Sequence, residues 1–585
     1  MRDARKHRRM ALSLSCGLLA MLVVEAASAS RAGVAADGGP SPLSFEELGL
    51  LSEMRDPPVG LASRVRELLR TPFVSNAAHR SGATPFRPAS RDLGPLVRVA
   101  LWNIERGARF DDLRLILAEP ERLRRRLSEA RLDEDERREA LEQASWLQAA
   151  DVLVLNEVDL GMPRSGYRDV ARELAESLGM NFAFGAQFVE VDRRQLELDG
   201  SAGSSLTRGE GTPALSVHPR RYRGLHGLAV LSRYPIRRAR LVPFDAQPYD
   251  WFAGESAGTS LTEKAKRRLA KWAFSHDSSR QIRRGGRGML IVDLALTDRP
   301  EATLTVVATQ LENRTKPSGR RRQMAELLEE LRGIANPVLV AGDLNTTGKD
   351  HAPTSISREL RGRYLRADGW IRRLAMKLTG VGMIFDLLRT ATAFLRAQHD
   401  PTIRGIPLLA PNRERELFQE LERMRFDDGG ACDFRGEREL SWNGKRKKLA
   451  NSNERGFKGF VSTFQFDRTY LGVGKFKLDW ILVKAYLTEP HDAAGSRRLA
   501  PHRGRTLRAL NKSLPERVSD HDPLTVDLPL HEPAAAVPGG CEVEAARSGE
   551  QPRATGAQEG ARRAASRARE RNAGATRGCV GRQGP

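Results

Sequence analysis

The sequence predicts an α/β domain, and three observations indicate this fold class. From residue 96 onward, short runs rich in Val, Leu and Ile alternate with longer stretches of helical periodicity. The chain has 585 residues, of which 40% are hydrophobic, so it can bury a large core without crosslinks. Four cysteines in this length exclude a disulfide scaffold, and no apolar run reaches the ~20 residues that a transmembrane helix needs.

The first residues of the chain have the order of a signal peptide. Basic residues crowd positions 2–9, an apolar run follows over 10–24, and Ala27-Ser28-Ala29 supplies small residues at the spacing of a cleavage site. We therefore expect residues 1–29 to be removed and the protein to be exported, to the periplasm or the medium. A short amphipathic start that is not cleaved is the alternative.

Residues 30–95 are predicted to form an N-terminal extension and linker. Asp37 to Pro42 is typical of a linker, and a short helix is expected around Leu61 to Leu69. The prolines between residues 72 and 95 should keep the remainder extended, because proline fixes φ and lacks an N–H donor.

The α/β domain is expected to span residues 96–530. Its predicted strands are apolar runs bounded by turn residues, and its predicted helices have an amphipathic period. The strands are Val97–Trp102, Val152–Leu155, Leu228–Leu231, Met289–Leu296, Leu304–Ala308, Val338–Ala341, Leu478–Val483 and Leu524–Leu528. The helices are Glu121–Leu147, Tyr167–Leu178 and Arg320–Leu331.

Two further segments depart from this rhythm. Residues 346–460 are basic and carry helical stretches, so we interpret them as an insertion into the domain. Within it, Trp370–Leu395 is expected to pack on the core as an amphipathic helix, in preference to a peripheral contact with an anionic membrane. The run Lys445–Lys448 is either a solvated loop or a contact with phosphate groups. Residues 531–585 hold almost no large apolar residue and should be disordered, since they cannot offset the entropy of ordering.

The charge balance points to a polyanionic partner. Lys and Arg number 96 and Asp and Glu number 74, which gives a formal net charge of +22. Such a charge favours nucleic acid, anionic lipid or a phosphorylated substrate, without choosing among them.

Polar side chains end or follow several of the predicted strands. They are Asn103 and Glu105, Asn156 and Glu157, Asp343 and Asn345, Asp479, and Asp520, His521 and Asp522. Each of them taken singly is more typical of a turn or a helix cap. Together they offer carboxylates and carboxamides with one histidine and no cysteine, a hard oxygen-rich site that suits Mg²⁺ or Mn²⁺ better than zinc.

In this order, the motifs resemble those of the endonuclease/exonuclease/phosphatase superfamily, which includes DNase I-like nucleases, exonuclease III-type AP endonucleases, neutral sphingomyelinases and inositol polyphosphate 5-phosphatases. The motifs are Trp-Asn-Ile-Glu-Arg-Gly at 102–107, Leu-Asn-Glu-Val-Asp at 155–159, Leu-Ser-Arg-Tyr-Pro at 231–235, Gly-Asp-Leu-Asn at 342–345, Leu-Asp-Trp-Ile at 478–481 and Ser-Asp-His at 519–521. The resemblance covers roughly residues 96–345 and 460–530. It implies a four-layer α/β sandwich of the DNase I-like type, here with a helical basic insertion.

The resemblance also implies a role for each matching residue. Glu157 would bind the metal, with Asn103 beside it and Asp520 completing the acidic metal side. Asp343 would orient or deprotonate the attacking water, and Asn345 would hydrogen-bond the phosphoryl oxygens. His521 would contact the phosphate, with Asp479 fixing its ring. Mg²⁺ or Mn²⁺ is the implied cofactor.

One position departs from the family pattern. Many members carry Thr-His-Leu at the end of the strand before the helix that is rich in Arg and Gln, whereas this chain has Thr309-Gln310-Leu311. Gln310 can donate a hydrogen bond to phosphate but brings no positive charge. Asn313 and Arg314 follow closely, and together with Gln310 they are the predicted substrate-binding residues.

The expected function is that of an exported, metal-dependent phosphodiesterase, with nucleic acid favoured over phospholipid as substrate. The strand around Asp479 reads Phe-Lys-Leu-Asp-Trp, which does not match the signature of the inositol phosphatases. A phospholipid phosphodiesterase resembling the sphingomyelinases is one alternative. A catalytically silent domain of the same fold that binds phosphate is another, and a monomer is expected in each case.

Overall fold

In a computed structural model of the protein, the structure describes residues 35–91, 93–191, 217–256, 281–297, 302–348, 400–402, 405–406, 410–433, 452–456, 459–470, 473–484, 486–487 and 497–531. The predicted signal peptide, Trp370–Leu395, Lys445–Lys448 and the predicted tail from residue 532 lie outside the described residues. The chain divides between residues 534 and 535, and every described residue belongs to the first part.

The described strands are numbered here in chain order. They are β1 (Phe73–Ser75), β2 (Ala89–Ser90), β3 (Gly94–Arg106), β4 (Val152–Leu160), β5 (Asn181–Glu190), β6 (Leu225–Ser232), β7 (Ile236–Pro243), β8 (Arg283–Gly285), β9 (Gly288–Ala295), β10 (Thr303–Gln310), β11 (Val338–Asp343), β12 (Gly405–Ile406), β13 (Ala410–Pro411), β14 (Cys432–Asp433), β15 (Arg455–Gly456), β16 (Gly459–Phe460), β17 (Phe464–Tyr470), β18 (Val473–Phe476), β19 (Asp479–Lys484), β20 (Tyr486–Leu487), β21 (Arg497–Arg498), β22 (His502–Thr506) and β23 (Leu524–Pro529).

The described helices follow the same convention. They are α1 (Phe45–Glu53), α2 (Val59–Leu68), α3 (Ala77–Arg80), α4 (Phe110–Ala118), α5 (Pro120–Glu129), α6 (Glu134–Gln148), α7 (Val170–Leu178), α8 (Trp251–Ser256), α9 (Pro317–Leu331), α10 (Arg415–Arg423) and α11 (Arg508–Lys512), with a 3₁₀ turn at Pro163–Ser165.

Two large sheets account for most of the described strands. The first has the order β1-β5-β6-β4-β3-β23-β22, with β2 added to β3 and β8 added to β5, and the second has the order β14-β19-β11-β10-β9-β7. The remaining short strands pair as β12–β13, β15–β16, β17–β18 and β20–β21. Within each large sheet the central strands run parallel, β3 beside β4 and β10 beside β11.

The two sheets pack face to face between two layers of helices. Because successive side chains of a strand point to opposite faces, Val97, Val99 and Leu101 enter the core between the sheets, whereas Ala100 and Trp102 face the helices. Helices α1, α2, α4, α5, α6, α7 and α11 cover the first sheet, and α9 and α10 cover the second. The structure therefore confirms a four-layer α/β sandwich.

All the predicted strands are present, and seven further described strands complete the two large sheets, of which β5 and β7 are the longest. In β5 the apolar run is interrupted by Gly185, where a Cβ atom would lie 2.7 Å from Leu241, so contact between the sheets selects glycine there. Strand β7 lies at a sheet edge and carries Arg237, Arg238 and Arg240, which hides its apolar period. A search for apolar runs does not predict either strand, because their residues are determined by contacts in the tertiary structure: the facing sheet in β5 and the exposed edge in β7.

The predicted helix Glu121–Leu147 is instead two helices, and this expectation was wrong. Helix α5 ends at Glu129, and α6 starts afresh after Asp133, whose side chain accepts a hydrogen bond of 2.7 Å from the Glu136 N–H while the Glu136 side chain bonds back to the Asp133 N–H. This capping box is a strong helix-start signal that divides an otherwise continuous pattern.

The N-terminal extension is part of the fold. Helix α2 confirms the helix expected around Leu61 to Leu69, and β1 adds a strand to the edge of the first sheet. The segment expected to be a linker is held to β1, since Gly38 forms backbone hydrogen bonds with Val74 in both directions. Leu43 just beyond it lies in the core beneath the first sheet.

The described parts of the insertion also belong to the sandwich. Helix α10 packs beside α9, and its Phe418 lies 4.8 Å, centroid to centroid, from the ring of Trp480 in β19. Arg320 of α9 and Glu414 at the start of α10 form an ion pair in which the side chains are 0% and 1% exposed. Within the described ranges, no helix is long and apolar enough to cross a membrane.

The Arg320–Glu414 pair provides a test of this packing. Glu414→Gln should lower the free energy of unfolding by about 3–5 kcal/mol, because it leaves the buried Arg320 charge unpaired. The matched control is Glu416→Gln, which breaks the pair with Arg321 between the same helices, where the side chains are 46% and 53% exposed, and it should cost less than ~1 kcal/mol. Urea unfolding followed by tryptophan fluorescence measures both, and equal losses would contradict a buried α9–α10 contact.

Candidate active site

The ends of the central strands of the second sheet align three polar residues in one row. Gln310 is paired in register with Asp343, and Asp343 is paired with Asp479 across β10, β11 and β19. Gly342 makes this row possible, because a Cβ atom at that position would lie 1.8 Å from the Thr309 carbonyl oxygen. The Gly-Asp-Leu-Asn motif thus places its aspartate against a neighbouring strand that approaches closely.

The facing edge of the first sheet supplies the other half of the site. Asn103 lies near the end of β3, Glu157 lies in β4, and His521 lies three residues before β23, which pairs with β3. The Trp102 indole N–H donates to the His521 carbonyl over 2.9 Å, and the Ser519 hydroxyl donates to the Asn103 carbonyl over 2.6 Å. These bonds fix the Ser-Asp-His motif against the end of β3.

Local backbone strain accompanies these positions. The pairing of β4 is irregular between Asn156 and Val158, where Glu157 has φ of 55°. Glu105 (φ 46°) and Asn345 (φ 49°) also occupy the left-handed region that glycine favours. Bulges and strained residues cluster at functional sites because they redirect side chains out of the regular pleat. Here they turn Glu157 out of the apolar alternation of its strand.

Glu157 is held as a carboxylate at the centre of the cluster. Its Oε1 atom accepts from the Asn103 side chain over 3.2 Å and from Gln310 over 2.9 Å. Burial by itself would raise the pKa of Glu157, but His226, Arg106, His521 and Arg287 together hold this pKa well below its usual range. Because burial also lowers the pKa of His226, the arginines and His521 supply the lasting positive charge.

Gln310 connects the two sheets at this point. Besides Glu157, its amide lies 3.4 Å from the Asp343 carboxylate, and its carbonyl oxygen accepts a hydrogen bond from the guanidinium of Arg287. Arg287 is buried, and its Nε atom lies 3.6 Å from Glu312. Gln310 is thus oriented so that its amide N–H group faces the Glu157 and Asp343 carboxylates. The positive charge that glutamine lacks is supplied by Arg287, which contacts the other side of the Gln310 amide.

Asp343 and Asn345 form a second pair of contacts. The Asn345 backbone N–H donates to Asp343 over 2.9 Å, and the Asn345 side chain donates to Asp343 over 3.2 Å and to the Leu311 carbonyl over 2.9 Å. Burial and the neighbouring Asp479 and Glu157 carboxylates raise the pKa of Asp343 to about 7, against the opposing effect of His521. Near neutral pH this carboxyl group can therefore accept or release a proton.

His521 faces three acidic groups. Its Nδ1 atom lies 2.8 Å from Asp479 Oδ2, and its Nε2 atom lies 3.9 Å from Asp520 and 3.4 Å from the Asn103 amide. Burial lowers the pKa of the ring, but Asp479, Asp520 and Asp343 outweigh burial and raise it well above its usual value. The Asp479–His521 pair therefore holds an imidazolium whose Nε2 atom points toward Asn103.

The structure brings together eight of the residues singled out from the sequence. They are Asn103, Glu157, Gln310, Asp343, Asn345, Asp479, Asp520 and His521. Arg314 lies elsewhere: its guanidinium is buried, pairs with Glu255 and lies 4.2 Å from the centroid of the Trp251 ring. The Arg314 backbone N–H also donates to Glu312 over 2.9 Å, and the predicted role of Arg314 and Asn313 in substrate binding stays a prediction.

Several residues beside the cluster were not singled out from the sequence. Arg287 is distant along the chain from the recognised motifs, whereas His226 lies five residues before the Leu-Ser-Arg-Tyr-Pro motif at 231–235. Lys477 is 1% exposed, its Nζ lies 5.1 Å from the centroid of the Trp480 ring, and burial lowers its pKa to about 7 despite Asp479 and Glu454. The sequence beside Leu-Asp-Trp does not predict that Lys477 is buried, because the residues that bury it come from other parts of the chain.

Comparison with known proteins identifies the family. The sequence profile described as the Endonuclease/Exonuclease/phosphatase family matches residues 100–521. The chain belongs to this family. The match spans the second sheet, most strands of the first sheet and the described parts of the insertion, so the family's phosphoesterase fold includes every residue of the cluster.

Solved structures of the Endonuclease/Exonuclease/phosphatase family give only weak overall likenesses. The human Nocturnin catalytic domain with bound sulfate is 14% identical, with a TM-score of 0.30, 75% of this chain covered and 95% of that one. TDP2 from D. rerio with a single-stranded DNA product is 12% identical, with a TM-score of 0.30, 74% of this chain covered and 98% of that one. Sphingomyelinase C from Streptomyces griseocarneus is 14% identical, with a TM-score of 0.27, 74% of this chain covered and 99% of that one. No curated protein sequence matches the chain significantly.

The residues present fit a divalent cation, which enzymes of the family commonly use. Glu157 is ionised, and in the described part of the chain no hydrogen bond reaches its Oε2 atom, so one carboxylate oxygen is open for a ligand. The described residues contain no ready-made group of three or more His, Cys, Asp or Glu ligands. Mg²⁺ is commonly bound through one or two carboxylates while it keeps several waters and takes substrate oxygens, and Glu157 with Asn103 matches that donor set.

The role of Gln310 can be tested against the family residue. Gln310→Met should lower kcat for bis(p-nitrophenyl) phosphate by about 10²-fold, since neither Glu157 nor Asp343 then receives its hydrogen bond. Gln310→His, which restores an N–H donor, should keep kcat within about tenfold of the parent enzyme. Steady-state kinetics at saturating Mg²⁺, with circular dichroism as the folding control, decides the matter. A methionine variant as active as the histidine variant would refute this role.

Proposed function

We propose that this protein is a metal-dependent phosphodiesterase that hydrolyses a phosphodiester, preferably in nucleic acid, by attack of water on phosphorus. The observation that carries the proposal is the convergence of an ionised Glu157, a proton-accepting Asp343 and an Asp479–His521 pair on one edge of the sandwich. Phosphoryl transfer depends mainly on positioning and on charge stabilisation, and this edge supplies both.

Each side chain would have a distinct task. Glu157 and Asn103 would hold the cation, which when bound supplies a more acidic water and neutralises negative charge. Asp343 would orient the attacking water and accept its proton, because its pKa of about 7 is near the working pH. His521, kept charged by Asp479, would stabilise the negative charge that develops on the phosphate. Asp520 would add negative charge near the His521 Nε2 atom.

The contacts of Asn345 favour a positioning role in the unliganded protein. Its amide donates to Asp343 and to the Leu311 carbonyl, so both donors of the NH₂ group are engaged. A hydrogen bond from Asn345 to phosphoryl oxygens would require one of these bonds to be exchanged when substrate binds. That role therefore stays a prediction.

Nucleic acid is preferred as the substrate because of the charge of the chain. A net charge of +22 attracts a polyanion, and export of the mature protein would place it with extracellular nucleic acid. A phospholipid phosphodiesterase is the second candidate, and a silent phosphate-binding domain is the third. The complete carboxylate and histidine set argues against the silent domain, since a domain that only binds phosphate has no need of three converging carboxylates.

Removal of metal provides the first test. Purified protein should lose hydrolysis of plasmid DNA and of bis(p-nitrophenyl) phosphate in EDTA and regain it with Mg²⁺ or Mn²⁺. Glu157→Gln should raise the Mg²⁺ concentration needed for half-maximal rate by at least about tenfold while the melting temperature changes little. Undiminished turnover by the metal-stripped protein would overturn metal dependence. The same assay with sphingomyelin as substrate tests the second candidate, because a phospholipid phosphodiesterase should hydrolyse sphingomyelin faster than DNA.

The histidine pair provides the second test. His521→Ala should lower kcat by at least ~10²-fold, the scale for loss of a transition-state stabiliser. Asp479→Asn should reduce kcat less, because the ring keeps its place but loses the charge that favours its protonated form. Because Asp479 raises the pKa of His521, the Asp479→Asn variant should lose the imidazolium, and with it activity, at a lower pH than the parent as the pH is increased. A folded His521→Ala protein that retains most of its rate would show that the ring is not needed.

A further inference from the structure

A second basic site lies at the end of β4, beyond the catalytic edge. A cavity of about 480 Å³ is lined there by Arg172, Arg220, Arg221 and Arg223, which together we name the arginine pocket. Tyr167 and Phe73 contribute aromatic rings to its lining, and Leu160 and Gly161 contribute the end of the strand.

The charges in the arginine pocket are unbalanced. Among the described residues that line it, Asp169 is the only one with a carboxylate, and this carboxylate accepts from Arg172 Nε over 3.0 Å and from the Arg172 backbone N–H over 3.2 Å. Within the described ranges, Arg220 and Arg223 have no carboxylate partner, and Arg221 donates to the Gly166 carbonyl over 2.8 Å. Three guanidinium charges therefore remain without a compensating carboxylate in one cavity, an arrangement that attracts an anion.

The arginine pocket is built into the backbone of the fold. Gly161, with φ of 65°, accepts a 2.9 Å hydrogen bond from the Arg223 N–H, and a Cβ atom there would lie 2.5 Å from Arg223 Cγ. The guanidinium of Arg221 lies 4.9 Å from the centroid of the Tyr167 ring, whose hydroxyl accepts from the His218 N–H over 2.9 Å. These contacts hold the backbone of Arg223 and the guanidinium of Arg221 in place before any ligand arrives, which reduces the entropy lost on binding.

The position of the pocket suits a polymer. Leu160 follows Glu157 by three residues in β4, which corresponds to about 10 Å at ~3.3 Å per residue. Nucleic acid carries a phosphate on every nucleotide of a strand, so a phosphate close in sequence to the reacting one can lie at this distance. A phospholipid with a single phosphate at the catalytic edge has no second phosphate to place there.

Resting on the proposed phosphodiesterase function, we propose that the arginine pocket binds a backbone phosphate of a nucleic-acid strand whose reacting phosphate lies beside Glu157. Guanidinium groups recognise phosphate through paired N–H donors, and contacts to the backbone position the strand without reading its sequence. The pocket thus directs the enzyme toward polynucleotides of any sequence and away from single diesters.

Binding without turnover tests the pocket separately from catalysis. A fluorescein-labelled ten-residue oligothymidylate is titrated with the full chain in EDTA, and anisotropy is recorded from 50 to 300 mM NaCl. The double variant Arg220→Gln and Arg223→Gln should bind at least about tenfold more weakly at 50 mM NaCl. Its slope of log affinity against log salt should fall by about 0.7, since the pocket holds one phosphate and each phosphate contact to a single strand contributes about 0.7.

A matched control keeps the test specific. Arg125→Gln with Arg126→Gln removes the same charge from exposed positions on α5 and should change neither affinity nor slope appreciably. Equal losses in both double variants would reduce the effect to net charge and overturn the pocket, as would unchanged binding by Arg220→Gln with Arg223→Gln. Loss of co-sedimentation with phosphatidylserine vesicles at unchanged oligonucleotide affinity would also overturn it, in favour of a membrane. If the parent protein binds the oligonucleotide through the pocket but never cleaves DNA with Mg²⁺, only the proposed function fails.

Discussion

The apolar contact between the inner faces of the two sheets is the constraint on which the site depends. Strands β3, β4, β6 and β23 present mainly Val and Leu side chains to the apolar side chains of β9, β10, β11 and β19. Since the sheets are close-packed, their edges are fixed relative to one another. The row of Gln310, Asp343 and Asp479 is thereby held against Asn103, Glu157 and His521 without any ligand.

Because the sheets are rigid, several charged side chains that would otherwise move apart are held close together. Asp343, Asp479 and His521 are buried, and burial together with the Asp479 and Glu157 carboxylates raises the pKa of Asp343 to about 7. Buried charges of this kind cost stability unless they are paired. The apolar core beside them offsets the free energy that their burial costs. The resulting site has charges that are already oriented and need little reorganisation during a reaction.

A second buried network lies beside the Glu157 carboxylate. Arg164 bonds to Asp159 and Glu190 with distances of 2.6 to 2.9 Å, and Asp159 also lies 2.8 Å from His226. His226 and Arg287 are among the groups that lower the pKa of Glu157. Arg287 reaches the cluster through Gln310, so the chain replaces the family's histidine with a neutral amide backed by an arginine. The positive charge is retained, but it is displaced from the surface of the site to the layer behind it.

The sequence by itself determined the fold class, the central strands and the order of polar residues at their ends. Those strands are buried on both faces, so their apolar runs are long enough to recognise, and their motifs lie at strand ends where a short sequence carries its own meaning. Only the tertiary structure decided which of the polar residues meet: Gln310 joins the cluster, whereas Arg314, four residues later, turns away to Glu255. Arg287, Lys477 and the arginine pocket likewise arise from strands and loops distant in sequence, because a local pattern cannot show which charges packing will bring together or leave unpaired.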